Sequence, residues 1–192
     1  MHVDGLGDVV ANGEWWQSEP VALAYIDGAP VAFRIDAAAL QAAPSDVADA
    51  VVAFLRLSST DRLAAGRYVH ASYLDTADAI RSRPEVYLPA WQPVLDLPIR
   101  MPSDVWPLVE VGTVDVERRE EDGLIYVSVS LHVPWDEEHG IQIVYRRGRE
   151  LSRVSSMDGH LTTADAYALP EANDRVYFSR ADVLRRLEER RR

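Results

Sequence analysis

The sequence predicts an α+β fold, in which antiparallel sheet and helices come from separate stretches of the chain. Two regions, one near each end, carry the short apolar runs and turn residues of antiparallel strands. Two helical periodicities follow the first region, and a proline-rich stretch separates them from the second. We therefore expect an N-terminal antiparallel hairpin or meander plus two helices, a proline-rich strap, and a C-terminal antiparallel meander with a terminal helix.

The N-terminal part, residues 1–83, begins with the predicted meander. Its last two strands are the apolar run 21–26 and the alternating stretch 31–35, joined through the tight-turn pair Asp27-Gly28. A preceding strand around Trp15-Trp16 completes three strands. Successive side chains of a strand point to opposite faces, so one tryptophan is expected in the core and the other in solvent. The exposed ring makes Trp15 and Trp16 candidates for a binding surface.

Two helices are predicted after the meander. Pro44-Ser45-Asp46 is a capping cluster that starts the first, and Ser59-Thr60-Asp61 starts the second, which ends between Arg81 and Pro84. Each helix has one apolar side at helical spacing. These sides are Val47, Val51, Phe54 and Leu55 in the first helix, and Val69, Tyr73, Ala77 and Ile80 in the second.

The connection at residues 84–107 holds six of the 11 prolines of the chain. Such a stretch cannot form long helices or central strands. It also contains Trp91 and Trp106, which a solvated linker rarely carries. We therefore expect a strap that packs over the core.

The C-terminal part, residues 108–192, is predicted to be a second antiparallel meander followed by a helix. The strands are expected at 111–118, 124–133, 141–146 and 151–155. Strict alternation in the second of them places Ser128, Ser130 and His132 on a solvated face. The helix begins at Ser179 with Asp182 as its capping-box partner, and its apolar side is Val183, Leu184 and Leu187.

Composition excludes several chemistries. The chain has no cysteine and no lysine, so all 20 basic residues are arginine, and this excludes thiol nucleophiles, zinc ribbons, Schiff-base lysines and lysine-dependent phosphate loops. A net charge of −11 opposes nucleic-acid binding, and the +3 of residues 185–192 suits a helix C-terminus. Without a signal peptide or a long apolar run, we expect a cytoplasmic protein with no membrane contact.

Two polar turns in the C-terminal part hold the other candidate functional residues. The first is the run 135–140, Trp-Asp-Glu-Glu-His-Gly, and the second is the run 158–160, Asp-Gly-His. The strands that precede these turns end at the same edge of a meander, so we expect the turns to lie close together. The candidate cluster is therefore Trp135, Asp136, Glu137, Glu138, His139, Asp158 and His160.

Three interpretations of this cluster stay open. Carboxylates beside imidazoles suit a divalent metal, or a carboxyl whose raised pKa makes it a general acid or base, although the spacing matches neither H-E-x-x-H nor an EF-hand. The residues equally suit a structural turn, with Trp135 as a buried plug and short carboxylates that accept backbone amides. The third interpretation is a partner-binding surface. No catalytic residue is assigned, the metal question stays open, and no cofactor is expected.

The block from Trp106 to about Ala168 resembles a bacterial domain family of unknown function. The marks of that family are the Trp-Asp-Glu-Glu-His-Gly turn, present at 135–140, and a later Asp-Gly-His-Leu-Thr, present at 158–162. Many members are expected to carry a cysteine before the first turn, where this chain has Val133-Pro134, which argues against thiol chemistry at the site. The resemblance implies a related fold and no particular reaction.

These observations favour a non-enzymatic protein-binding module. An acidic chain steers a basic partner, as bacterial immunity proteins do when they neutralise basic toxins. The alternative is a metal-dependent enzyme or regulator that uses the cluster at 136–139 and 158–160. The sequence leaves the oligomeric state open.

Overall fold

The computed structural model describes residues 1–189, and it confirms the α+β prediction. The strands are β1 (His2–Val3), β2 (Gly7–Asn12), β3 (Trp15–Ser18), β4 (Val21–Leu23), β5 (Ala29–Val31), β6 (Phe33–Asp36), β7 (Glu110–Arg118), β8 (Ile125–His132), β9 (Ile141–Arg146) and β10 (Glu150–Ser156). The helices are α1 (Ala37–Ala42), α2 (Pro44–Leu55), α3 (Ser59–Ser82), α4 (Pro84–Tyr87), α5 (Gln92–Leu95), α6 (Thr163–Tyr167) and α7 (Arg180–Glu189).

One eight-stranded sheet contains strands from both ends of the chain, in the order β1-β2-β3-β6-β7-β8-β9-β10. Its neighbours pair antiparallel, except that β6 and β7 run parallel with Phe33 opposite Val114. The parallel pair needs a long crossover, which α1, α2, α3 and the strap provide.

The core lies between one face of this sheet and helices α2 and α3. Phe33 and Val127 from the sheet are fully buried, together with Phe54 of α2 and Val69 of α3. Most of the apolar side predicted for α2, and all of that predicted for α3, is buried in this cluster. The helical periodicity in the sequence therefore identified the correct sides.

The predicted hairpin around Asp27-Gly28 forms between β4 and β5, but the prediction that the Trp15-Trp16 strand joins it in a three-stranded meander was wrong. The apolar run that begins at Val21 ends as a strand at Leu23, because residues 24–26 form a 3-10 turn. That turn buries Tyr25 against Phe54, with 5.6 Å between the ring centres. As a result β4 and β5 form a separate two-stranded sheet, and β3 pairs with β6.

The second face of the sheet is also partly covered, which contradicts the solvated face expected for β8. Ser128 and Ser130 are buried, whereas His132 is exposed. The chain after β10 folds back over this face and buries Thr163 and Ala164. Cover by a later segment of chain is a tertiary effect that strand alternation does not reveal.

The proline-rich strap packs against the core as predicted. Val94, Ile99 and Val105 are buried, and the Trp106 ring lies beneath the Arg62 guanidinium at 5.1 Å. Its helices α4 and α5 have four residues each, in keeping with the proline spacing.

Helix α7 begins as predicted, but its apolar side is not buried. Ser179 and Asp182 form the expected cap, with 2.8 Å from the hydroxyl to the carboxylate. Leu184 and Leu187 are each 48% exposed, because polar contacts attach this helix to the body. Residues 190–192, which complete the basic end, lie outside the described residues. None of the helices in residues 1–189 is long and apolar enough to span a bilayer.

Candidate functional site

Trp135 anchors the turn between β8 and β9 to α3. The side chain is 2% exposed, and its indole N–H donates a hydrogen bond of 3.1 Å to the Ser72 hydroxyl. The Tyr73 ring packs edge-on against it, with 5.7 Å between the ring centres. Trp135 therefore fills the position of a buried plug.

Asp136 holds the same turn together through its carboxylate. One oxygen accepts the His139 amide at 3.2 Å and lies 3.2 Å from His139 Nδ1, and the other accepts the Ser156 hydroxyl at 2.8 Å. Gly140 closes the turn at φ 70, where a Cβ would lie 2.6 Å from the Leu131 carbonyl oxygen. Glu137, Glu138 and His139 remain exposed.

The second polar turn meets the first at the same edge of the sheet. The Met157 amide donates to the Gly140 carbonyl at 3.3 Å. Asp158 is bound by the buried Arg153 guanidinium through two hydrogen bonds of 2.7 and 2.6 Å. Burial alone would raise the pKa of Asp158, but the bonds from Arg153 and from the His160 amide outweigh it and lower the pKa.

His160 contributes its backbone, not its imidazole, to this arrangement. Its carbonyl oxygen accepts from Arg153 at 2.5 Å and from Gln142 at 2.8 Å, while its side chain is exposed. Across residues 1–189, no three His, Asp or Glu side chains are grouped so that they could hold a metal ion. The two turns are neighbours, but their acids and imidazoles do not form a ligand set in the described part of the chain.

Two adjacent cavities border the first turn. They have volumes of about 300 and 370 Å³, and both are lined by Asp75, Thr76, Trp135, Asp136 and Arg180. The larger one continues along Ala79, Ile80, Tyr87, Trp91, Glu138 and His139, and we call it the Trp91 groove. Its apolar wall comes from α3 and the strap, and part of its polar rim comes from the first polar turn, residues 135–140.

Asp75 holds this region together, and sequence patterns did not single it out. Its carboxylate accepts the Tyr177 hydroxyl at 2.8 Å and the Arg180 amide at 2.7 Å, and so fixes the C-terminal segment beside α3. Burial and the hydrogen bond to Asp75 raise the pKa of Tyr177. Ser72, Asp75 and Thr76 are spaced three and four residues apart along α3 and so form a polar stripe on one side of the helix. This stripe could have indicated a polar wall of a groove.

The sequence model of a domain family described as a domain of unknown function, DUF6985, matches residues 5–161. The chain belongs to this family. No curated protein and no solved structure matches the chain. The DUF6985 match includes both polar turns and the strap, whereas Tyr177 and Arg180 follow it in the sequence. The Trp91 groove of this DUF6985 domain is thus lined mainly by residues inside the match.

We expected one side chain of the Trp15-Trp16 pair in the core of this DUF6985 domain and the other in solvent, and this expectation was wrong. Trp16 is partly buried and packs against the core. Trp15 lies on the opposite face and is also partly buried, because the Arg34 guanidinium lies over its ring at 5.0 Å. Arg34 is fixed there by its ion pair with Asp115, at 2.6 Å.

Proposed function

We propose that this DUF6985 domain is a non-enzymatic protein-binding module that holds a basic, apolar segment of a partner protein in the Trp91 groove. The observation that supports this is the exposed aromatic ring of Trp91 in the groove, with two further exposed apolar residues on the same strap. Trp91 is 39% exposed, and Val86 and Leu88 on the same strap are 53% and 36% exposed. Partly exposed aromatic residues beside a groove are typical anchors for a partner.

The charge around the groove favours a basic partner. The carboxylates of Asp75, Asp136 and Glu138 line it with one guanidinium, that of Arg180. Glu137 adds an exposed carboxylate beside Glu138. The whole chain carries 31 acidic against 20 basic residues, so a cationic segment is attracted at long range and then meets acidic groups at the groove. A basic toxin neutralised by this chain would be a partner of this kind.

A peptide library displayed on phage tests the proposal even though the partner is unidentified. The library is selected on the full chain without any depletion on variants, and the enriched peptides are synthesised and measured by calorimetry. We expect enriched sequences that combine arginine or lysine with large apolar residues. Their affinity should fall between about 50 mM and about 500 mM NaCl, because added salt screens surface charges.

Matched variants identify the groove as the binding surface. Trp91→Ala and the double change Glu137→Gln with Glu138→Gln should each weaken binding about tenfold or more, which is about 1.4 kcal/mol. Leu63→Ala, at a 50% exposed apolar position on α3, and Glu120→Gln, at an exposed acid, should leave affinity unchanged. Enriched peptides that are acidic, or that bind the Trp91 variant as tightly as the wild type, would overturn the proposal.

A further inference from the structure

A third cavity lies between α2 and the β9–β10 hairpin, and it shares no lining residue with the two cavities at the first polar turn. Its volume is about 580 Å³, within the range of small-molecule sites. Ala50 and Ala53 of α2 leave room for it, and Leu124 and Ile125 at the start of β8 form its apolar floor.

The lining of this cavity carries both signs of charge. Asp46 and Asp49 stand one turn apart on α2, and Arg147 and Arg149 stand on the hairpin opposite. Arg56, directly after α2, adds a third guanidinium on the helix side, and all five charged side chains are exposed. A lining with both carboxylates and guanidiniums suits a ligand with both charges better than a simple anion or cation.

The charged side chains at this cavity differ from other charged side chains of the chain in their lack of close ion pairs within residues 1–189. Arg34, Arg119 and Arg153 each bind carboxylates at distances of 2.5 to 2.6 Å. Within residues 1–189, no ion pair within 4.0 Å involves Asp46, Asp49, Arg56 or Arg147. Arg149 reaches Glu150 at 4.0 Å, with both side chains more than half exposed.

The hairpin that presents the arginines packs closely against α2. A Cβ on Gly148 would lie 1.9 Å from the Ala50 carbonyl oxygen, so the tip of the hairpin touches the helix backbone directly. Arg147 has φ 52, in the left-handed region that asparagine, aspartate and glycine adopt more easily. The hairpin turn has positive φ at both Arg147 and Gly148, and the arginine places a guanidinium at the cavity where asparagine would fit the backbone more easily.

We propose that this cavity is a binding site for a small zwitterion, such as a free amino acid. The carboxylate of the ligand binds Arg147 and Arg149, whose planar guanidiniums match its two oxygens. The ammonium group binds Asp46 and Asp49, and the remainder of the ligand lies against Leu124 and Ile125.

Thermal-shift and calorimetric measurements on the full chain test the site. The probes are the common amino acids and γ-aminobutyrate, with acetate, inorganic phosphate and methylammonium as ligands of one charge. We expect at least one zwitterion to bind and to raise the melting temperature, and the single-charge probes to do neither. Arg147→Asn and Asp49→Asn should each weaken binding of that zwitterion about tenfold or more, since each removes one charged contact.

Arg147→Asn separates binding from folding. Asparagine tolerates the left-handed backbone, so this variant should melt about 2 °C higher than the wild type without ligand, even though it binds less. Arg81→Gln and Asp78→Asn, exposed partners on α3, make the same charge changes away from the cavity and should bind as the wild type does. Absence of binding by every zwitterion would overturn the proposal. So would equal binding by acetate or phosphate, or full affinity in Arg147→Asn and Asp49→Asn.

Discussion

The indole nitrogen of Trp135 and the hydroxyl of Ser72 lie 3.1 Å apart and are joined by a hydrogen bond across 63 positions of the sequence. The Ser72 hydroxyl also donates to the Val69 carbonyl at 2.7 Å, so it is held in place to accept from the indole. This contact fixes the β8–β9 turn, and with it one side of the Trp91 groove, to the middle of α3.

Loss of either partner in this hydrogen bond should destabilise the fold. Trp135→Phe keeps an aromatic ring but removes the donor, and Ser72→Ala leaves the buried indole N–H without a partner. Each change should lower the free energy of unfolding by about 1–2 kcal/mol, measured by urea denaturation. The double variant should lose less than the sum of the two, by about 1 kcal/mol, because both single changes remove the same bond.

Ser82→Ala is the matched control for Ser72→Ala. Ser82 lies on the same helix and donates to the carbonyl three residues earlier at 2.9 Å, but it is exposed and has no indole partner. Its replacement should change the free energy of unfolding by no more than about 0.5 kcal/mol. Additive losses in the double variant would show that Trp135 and Ser72 do not act through a shared bond.

Local sequence patterns were sufficient to predict the elements that have a regular spacing of buried residues. The side of α3 that contains Val69 and Tyr73 was found because helical spacing reports one buried face. The strand β8 was found because its alternation is unbroken. Strand β2 was missed, since of its six residues only Val9 is buried and the rest give no alternating pattern.

Contacts between distant segments left no local pattern to find. The parallel pairing of β6 with β7 joins Phe33 to Val114, and the hydrogen bond that fixes the C-terminal segment to α3 joins Asp75 to Tyr177, 102 positions away. The sequence identified the polar turns, because turn chemistry is local. It did not show that Arg119 would bind Asp165 and Glu171, because the fold of the chain after β10 decides those contacts.

Gly148 should be far less tolerant of a side chain than other glycines in the same backbone region. A Cβ on Gly13, at φ 64, would have nothing within 4 Å, whereas a Cβ on Gly148, at φ 68, meets the Ala50 carbonyl oxygen. Gly13→Ala should lower the free energy of unfolding by about 1 kcal/mol through backbone strain alone. Gly148→Ala should cost about 2 kcal/mol more, because the hairpin must move away from α2. Equal losses in urea denaturation would contradict the close packing of hairpin and helix.

Glu117 on β7 makes the fold sensitive to pH. Burial, and then the charges of Asp115 and Asp36, raise the pKa of its carboxyl from 4.5 to about 7, and the nearby Arg34 opposes this shift. Well below pH 4.5 the group is neutral in both folded and unfolded chains and has no effect on stability. As the pH rises toward 7, the unfolded chain loses the proton first, so the folded state becomes progressively less favoured.

Glu117→Gln should therefore stabilise the protein at neutral and alkaline pH and have a much smaller benefit in acid. From about pH 4 to about pH 8, the free energy of unfolding of the variant relative to the wild type should rise by up to about 3 kcal/mol, since each unit of pKa shift corresponds to about 1.4 kcal/mol. Urea denaturation at a series of pH values measures this difference. Glu120→Gln, at an exposed acid three residues away, is the matched control for the loss of one carboxylate on this segment. A difference for Glu117→Gln that is flat over this range, or that equals the difference for Glu120→Gln, would overturn the prediction.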